Sequence, residues 1–420
     1  MTDLELSRLF LAIVSLLSAA LGTGYLFERL GLPRVIGEIC GGLALGPSVL
    51  GGLAPDAFHW LFAASDGQKK ALEVLYWIGL VLLMFISGFR IQRELSRADR
   101  RTILVVLLAA TVPPFALGYA APSLFDMGRF VGAAGDADAF RLVVGIAVAV
   151  TSIPVISKIF LDLGIIETRF AKIVLACATL QDLLLWTVLA VATGMAGERA
   201  AAGAAPGGIG LYLRIVGVTL AFVGLSLWLA PRALSAASGL RINLPSRASP
   251  TGYTLVVCFV FAALASALGI NAVFGAFIAG IAVGALPESE FREVKARIAD
   301  VSLAFFVPVY FALVGLKVDL PRFLDLPFTV VFVLLSTVVV VASVVVGARL
   351  MGKTALTSFN LGMAMNTRGG PGIVLASVAY GFGIIDGTFF VALVTAAVLT
   401  SAVSGAWFRL VLARKLPLYN

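Results

Sequence analysis

Apolar residues run through this 420-residue chain in blocks of about twenty, separated by short polar stretches. A bilayer core takes about 20 apolar residues per helical crossing, and about thirteen such blocks are legible. They lie roughly at residues 6–26, 33–51, 71–89, 102–121, 140–161, 169–193, 209–230, 252–269, 271–286, 298–316, 327–350, 355–383 and 387–410. The pattern predicts an all-α membrane protein of about 13 transmembrane helices. The longest polar connectors, near 122–139, 196–207 and 232–250, are rich in Gly, Ala, Pro and Ser. Residues 1–420 therefore read as one transmembrane domain without a soluble regulatory domain. Asp3 and Glu5 open the chain with no basic segment before the first block, so that block is expected to be a span and not a signal peptide.

Composition agrees: 60% of residues are apolar and 13% charged, with a mean hydropathy of +1.04. The formal charge of +8 acts as a topology signal. With the N-terminus outside and the C-terminus cytoplasmic, roughly two-thirds of the Lys and Arg fall on the cytoplasmic side. They include Arg90, Arg93, Arg97, Arg100 and Arg101 in one loop and Arg409, Arg414 and Lys415 at the end. Basic residues spread over many short loops do not make a nucleic-acid surface. Cys40, Cys177 and Cys258 all fall in apolar blocks with no paired spacing, so they read as small packing residues. His59 is the only histidine and sits in a predicted loop, which disfavours a transition-metal site. No cofactor is expected.

The blocks repeat. VIGEICGGLALG from Val35 matches VFGAFIAGIAVG from Val273 at Gly37/Gly275, Gly42/Gly280 and Gly46/Gly284. SGFRI pairs with VGLKV, setting Gly88 against Gly315 and Arg90 against Lys317. GIAVAVTSIP from Gly145 matches GMAMNTRGGP from Gly362, with Pro154 against Pro371. Partners lie seven blocks apart, and an odd offset inverts the second copy in the membrane. The reading is a first repeat over about 6–193, a linker helix over about 209–230 and a second repeat over about 252–410. Small-residue packing between membrane helices is the competing account of glycine spacing.

Mid-span proline removes a helix hydrogen bond, and both Thr151-Ser152-Ile153-Pro154 and Thr367-Arg368-Gly369-Gly370-Pro371 fall mid-span. Two broken helices are expected there, and unwound backbone at membrane depth lines ion paths. Between them lies Asp182 in ATLQDLLLW, deep in its own block. A carboxylate is costly to insert there and marks function unless it belongs to a structural ion pair. Carboxyl groups in low-dielectric surroundings titrate as much as about 3 to 5 units above the ~3.9 of free aspartate, which lets proton and cation compete for one site. Gln181 offers an amide oxygen to an ion or hydrogen-bonds unwound backbone. Thr151 and Ser152 offer hydroxyl ligands or merely back-bond to their helices. Arg368 at the second break is placed to offset the negative ends of facing half-helices. Arg349 near the end of its block either pairs with Asp182 or snorkels to the interface.

LPRVIGEICGGLALGPSVLG, LLMFISGFRI, TSIPVISKIFLDLGII with ATLQDLLLW, GAFIAGIAVGALPESEFREV, FALVGLKVDL and MNTRGG together resemble the monovalent cation:proton antiporter superfamily, nearest the branch of Kef-type potassium/proton antiporters and plant cation/proton exchangers. The resemblance covers nearly the whole chain. It implies a sodium/proton antiporter-like fold with two crossed broken helices, a homodimer, and elevator-like exchange of K+ or Na+ for H+. Asp182 then matches the ion- and proton-binding carboxylate, Thr151 and Ser152 the first break, Arg368 the second, and Arg349 the basic residue of the preceding helix. Gln181-Asp182 departs from the paired carboxylates of electrogenic sodium/proton members and looks like the Kef-type arrangement. A bacterial inner membrane is the expected location, and whether a separate regulatory subunit exists is left open. A passive cation channel is the alternative function; a membrane enzyme is disfavoured because no HExxH or Ser/Asp–His constellation is found.

Overall fold

The computed structural model describes residues 2–89, 99–201, 209–239, 248–286 and 288–420. Arg90, Arg93 and Arg97 of the predicted cytoplasmic loop, and parts of the connectors near 196–207 and 232–250, lie outside these residues. In chain order the helices are α1 (Asp3–Arg29), α2 (Arg34–Leu45), the short α3 (Leu50–Leu53) and α4 (Pro55–Phe62), α5 (Asp66–Phe89), α6 (Arg100–Leu124), α7 (Ala137–Ala149), α8 (Ile153–Asp162), α9 (Arg169–Ala201) and α10 (Ile209–Gly239). They continue with α11 (Pro250–Ala267), α12 (Ala272–Gly284) and α13 (Glu288–Val301), which runs through a π-helical turn, Ser302–Phe306, into α14 (Val307–Leu316). The short α15 (Leu320–Phe323), α16 (Leu326–Leu350), α17 (Ala355–Met365), α18 (Gly369–Gly381) and α19 (Gly387–Ala413) complete the series. Among the described residues, extended pairing is limited to an isolated bridge between Val131 and Ile385.

Among the described residues, eleven helical stretches are each long and apolar enough to cross a membrane. The other two predicted spans take different forms. Residues 271–286 form α12, whose 13 residues reach only about 20 Å against a core of about 30 Å. Its side chains from Val273 to Val283 are all buried, so packing against protein and not lipid thickness sets its length. Residues 355–383 form two half-helices, α17 and α18.

The chain divides into two compact units. The first contains Met1–Tyr25, Gly37–Ile91 and Pro206–Asp319. Its helices meet through glycines at backbone contact. A Cβ on Gly42 of α2 would lie 1.9 Å from the Ala312 carbonyl oxygen of α14, and one on Gly280 of α12 would lie 2.1 Å from that of Phe85 of α5. These contacts correspond under the sequence match: Gly42 aligns with Gly280, and Phe85 and Ala312 each stand three residues before the matched Gly88 and Gly315. The reciprocal contacts correspond as well, Gly315 lying against Ile39 and Gly88 against Phe277. Ser48 closes the α2 end by donating to the Val318 carbonyl oxygen at 2.6 Å.

The second unit contains Leu26–Ile36, Gln92–Ala205 and Leu320–Asn420. Its core is apolar and aromatic, with Phe160, Phe170 and Phe408 mutually in contact at ring separations of 5.5 to 5.7 Å. Arg169 at the start of α9 pairs with Asp99 just before α6, at 2.6 Å. Lys158 of α8 bridges Glu28 and Asp162, both at 2.9 Å. The last residues fold back onto this unit: Asn360 Nδ2 donates to Leu418 O at 3.1 Å, and the Asn420 amide donates to Thr357 Oγ1 at 2.9 Å.

Candidate functional site

Both broken helices are present, and both breaks precede the prolines. α7 ends at Ala149 and α8 begins at Ile153; α17 ends at Met365 and α18 begins at Gly369. Pro154 and Pro371 therefore occupy the first turns of the second half-helices, where a missing N–H leaves nothing unpaired. The two breaks touch. Ser152 N donates to Thr367 O at 2.5 Å, and Thr151 Oγ1 donates to Met365 O at 2.5 Å. Ser152 Oγ caps α8 by accepting from Val155 N at 3.3 Å. Gly369 has φ of +36°, and a side chain there would meet Val155 Cγ2 at 2.3 Å and Ser152 Oγ at 2.7 Å, so close crossing requires glycine at this point.

Interruption of α7 releases its last carbonyls. Ser152 N–H, the helical donor for Val148 O, has gone to Thr367 instead. Side chains fill these positions. Arg368 Nη2 donates to Val148 O at 3.5 Å, which puts a buried guanidinium (2% exposed) at the negative end of α7. Gln181 Nε2 donates to Ala149 O at 2.9 Å, to Ala110 O at 3.1 Å and to Thr111 Oγ1 at 3.1 Å. Ala110 belongs to α6, where Pro113 and Pro114 interrupt the hydrogen-bond ladder, and Pro114 has no N–H for the Ala110 carbonyl. One amide thus serves two carbonyls that lost their helical donors for different reasons.

Asp182 follows Gln181 on α9 and is 5% exposed. Its Oδ1 has no hydrogen-bond partner; neither do Gln181 Oε1, Asn366 Oδ1 and Thr367 Oγ1, all buried. Carboxylate, amide and hydroxyl oxygens are the hard donors that an alkali cation accepts. Among the described residues Asp182 makes no ion pair with Arg368 or Arg349. Arg349 stands apart: it is exposed, and its Nη1 donates to Lys353 O at 2.9 Å, closing the C-terminal turn of its own helix. The guanidinium of Arg349 thus bonds the end of its own helix.

Composition and spacing missed three contributors. Asn366 donates from Nδ2 to Thr337 Oγ1 at 3.3 Å, Thr400 Oγ1 accepts from Arg368 N at 3.4 Å, and Ser404 Oγ donates to Met363 O at 2.9 Å. The signal was available for Asn366, a carboxamide inside an apolar block, but Thr400 and Ser404 read as ordinary helix hydroxyls. No group of three or more His, Cys, Asp and Glu able to hold a metal ion occurs among the described residues.

A family model described as sodium/hydrogen exchanger, transmembrane, matches residues 14–414. The chain belongs to the sodium/hydrogen exchanger family. This exchanger-family chain is 28% identical over 409 residues to the Na(+)/H(+)-K(+) antiporter GerN of Bacillus cereus, covering 96% of this chain and 95% of GerN. It is 27% identical over 398 residues to the Na(+)/H(+) antiporter NhaS4 of Synechocystis sp., covering 93% and 94%. Against cation/H(+) antiporter 18 of Arabidopsis thaliana it is 26% identical over 414 residues, covering 96% of this chain and 48% of that protein. Among solved structures, the sodium proton antiporter MjNhaP1 of Methanocaldococcus jannaschii at pH 8 has the same fold, with a TM-score of 0.64 at 15% identity over 96% of this chain and 97% of that one. The exchanger fold is thus shared well beyond recognisable sequence similarity.

Proposed function

We propose that this chain is a secondary antiporter exchanging a monovalent cation, K+ or Na+, for protons, with Asp182 holding proton and cation alternately. The observation that carries the reading is a buried carboxylate with an unpartnered oxygen, next in sequence to the amide that grips the α7 break. A carboxylate there takes either a proton or a dehydrated cation, and the unpartnered oxygens of Gln181, Asn366 and Thr367 replace part of the lost hydration shell. Names of relatives give the same direction: GerN and NhaS4 are named as cation/proton antiporters. Alternating access by an elevator-like movement, inverted repeats and a homodimer are part of the proposal. The corresponding glycine contacts in the first unit support the repeats.

Charge counting sets the stoichiometry. Gln181 cannot ionise and Arg368 offsets helix ends, which leaves Asp182 to carry one proton or one cation per crossing, with the buried Glu38 the next candidate should a second group take part. Exchange is then one for one and electroneutral. A net charge moved through 100 mV would be worth about 2.3 kcal/mol; here the net movement is zero. The test is cation-dependent proton flux in proteoliposomes across Li+, Na+, K+ and Rb+, repeated at clamped voltages. Expected is flux with a clear order among cations and rates independent of voltage. Proton flux without a counter-cation would favour the channel reading, and a current that reverses with the proton gradient would overturn the charge count.

A further inference from the structure

The second unit holds a cavity of about 480 Å³ that the ion site does not use. It lies between α6, α7 and α16, and its lining is almost wholly apolar. At one end stand Asp126, Arg129 and Phe328; at the other are Val148 and Val339. From Phe328 to Val339, α16 rises about 16 Å at about 1.5 Å per residue. That is about half of a ~30 Å hydrocarbon core, the depth of a single leaflet. Leu117, Leu124, Val331 and Leu335, which also line it, are exposed on the surface of an apolar helix bundle. The cavity is therefore a slot open toward lipid, and it runs from the polar boundary to mid-membrane.

Its mouth is amphoteric. Arg129 lies over the Phe130 ring at 4.6 Å and donates from Nη2 to Asp325 Oδ2 at 3.0 Å. Its side chain is still 63% exposed, and a guanidinium has five N–H donors. Asp325 is occupied on both oxygens, because Oδ1 caps α16 by accepting from Phe328 N at 3.0 Å. Asp126 is exposed and lines the same mouth. One cation and two carboxylates repel a purely anionic headgroup, and they match one that carries a phosphate and an ammonium together.

We propose that this slot binds one acyl chain of a zwitterionic aminophospholipid, its phosphate on Arg129 and its primary ammonium on Asp126. The deep end gives the occupant leverage on the ion site: Val148 lines the slot with its side chain and offers its carbonyl oxygen to Arg368. A seated chain packs against the final turn of α7, next to the break.

The test is native mass spectrometry of the full chain, purified monodisperse and equilibrated with equal amounts of phosphatidylethanolamine, phosphatidylcholine and phosphatidylglycerol of identical acyl chains. One retained lipid per chain is expected, with phosphatidylethanolamine favoured over phosphatidylglycerol by about tenfold, the scale of one charge-assisted hydrogen bond. Arg129→Gln should cut retention by about tenfold, and Asp126→Asn should erase the preference for phosphatidylethanolamine over phosphatidylcholine. Val339→Phe fills the deep end and should abolish retention while leaving the mouth intact. Retention blind to headgroup, retention that survives Val339→Phe, or capture of a free fatty acid or detergent in place of phospholipid would each overturn the proposal. None of these readouts depends on transport.

Discussion

Replacing Gln181 with Leu keeps roughly the side-chain volume and removes the amide, so its effect is the cost of the donors alone. Two buried carbonyl oxygens, Ala110 and Ala149, lose their partner, while the Thr111 hydroxyl, which also accepts from the amide, can turn to another partner. A buried polar group left unpaired costs about 1 to 3 kcal/mol, which puts the expected destabilisation at about 2 to 6 kcal/mol. The assignment has an internal check in Pro114. Ala110 O needs Gln181 because Pro114 cannot donate to it; Pro114→Ala supplies that missing N–H from within α6. In a Pro114→Ala background only Ala149 O is orphaned by Gln181→Leu, so the penalty should fall by about 1 to 3 kcal/mol, roughly half. The four proteins of this double-mutant cycle are compared by equilibrium unfolding in mixed micelles, where the cost of Pro114→Ala itself cancels. An identical Gln181→Leu penalty in both backgrounds would show that the amide does not serve the proline-freed carbonyl. A negligible penalty in both would refute the account of Gln181 as the clamp between α6 and the α7 break.

Asp182→Asn removes the charge at nearly constant volume and should abolish cation-dependent proton flux while the protein elutes unchanged on size exclusion; surviving pH-driven cation uptake would end the Asp182 mechanism. Arg368→Ala should lower both melting temperature and transport, since Val148 O and the negative end of α7 would stay buried without compensation; unaltered melting would mean that water does the job of the guanidinium. Arg349→Ala should shift stability by less than about 1 kcal/mol and leave the flux intact, as the residue is exposed and bonds its own helix end; loss of transport would reopen its pairing with Asp182. Gly369→Ala should cost about 1 kcal/mol or more because of its positive φ and contact with Val155, read as a drop in melting temperature; a neutral result would show that the crossing relaxes.

The helical class and the places of the breaks were legible because lipid enforces both: apolar runs of fixed length, and unwound backbone tolerated only beside small polar residues and glycine. Thr151, Ser152, Thr367 and Arg368 are brought together as the two matched motifs suggested. Ala272–Gly284 is placed within two residues at each end but reads as a full crossing, because hydropathy does not distinguish burial in protein from burial in lipid. Arg349 could not be decided from sequence, since a long side chain near a helix end reaches either way. The role of Gln181 was half visible. Its neighbour marked the site, but the need of Ala110 O for a donor follows from Pro114 on a different helix, a fact of tertiary packing. Thr400 and Ser404 carried no signal, because a hydroxyl bonding its own helix and one serving a neighbouring break look alike in sequence.

The contact between Ser48 and Val318 joins residues 270 positions apart, and the glycine faces of α2 and α14 meet across a similar distance. At about 5 to 20 residues per second, the ribosome needs about 15 to 50 s to make the second partner after the first. For that interval α2 is in the membrane with a groove shaped for a helix that does not yet exist, and Glu38, 4% exposed in the finished protein, lacks its final surroundings. Biogenesis of the first unit is consequently a matter of waiting: its early helices must be shielded by the insertion machinery or by lipid until α14 arrives.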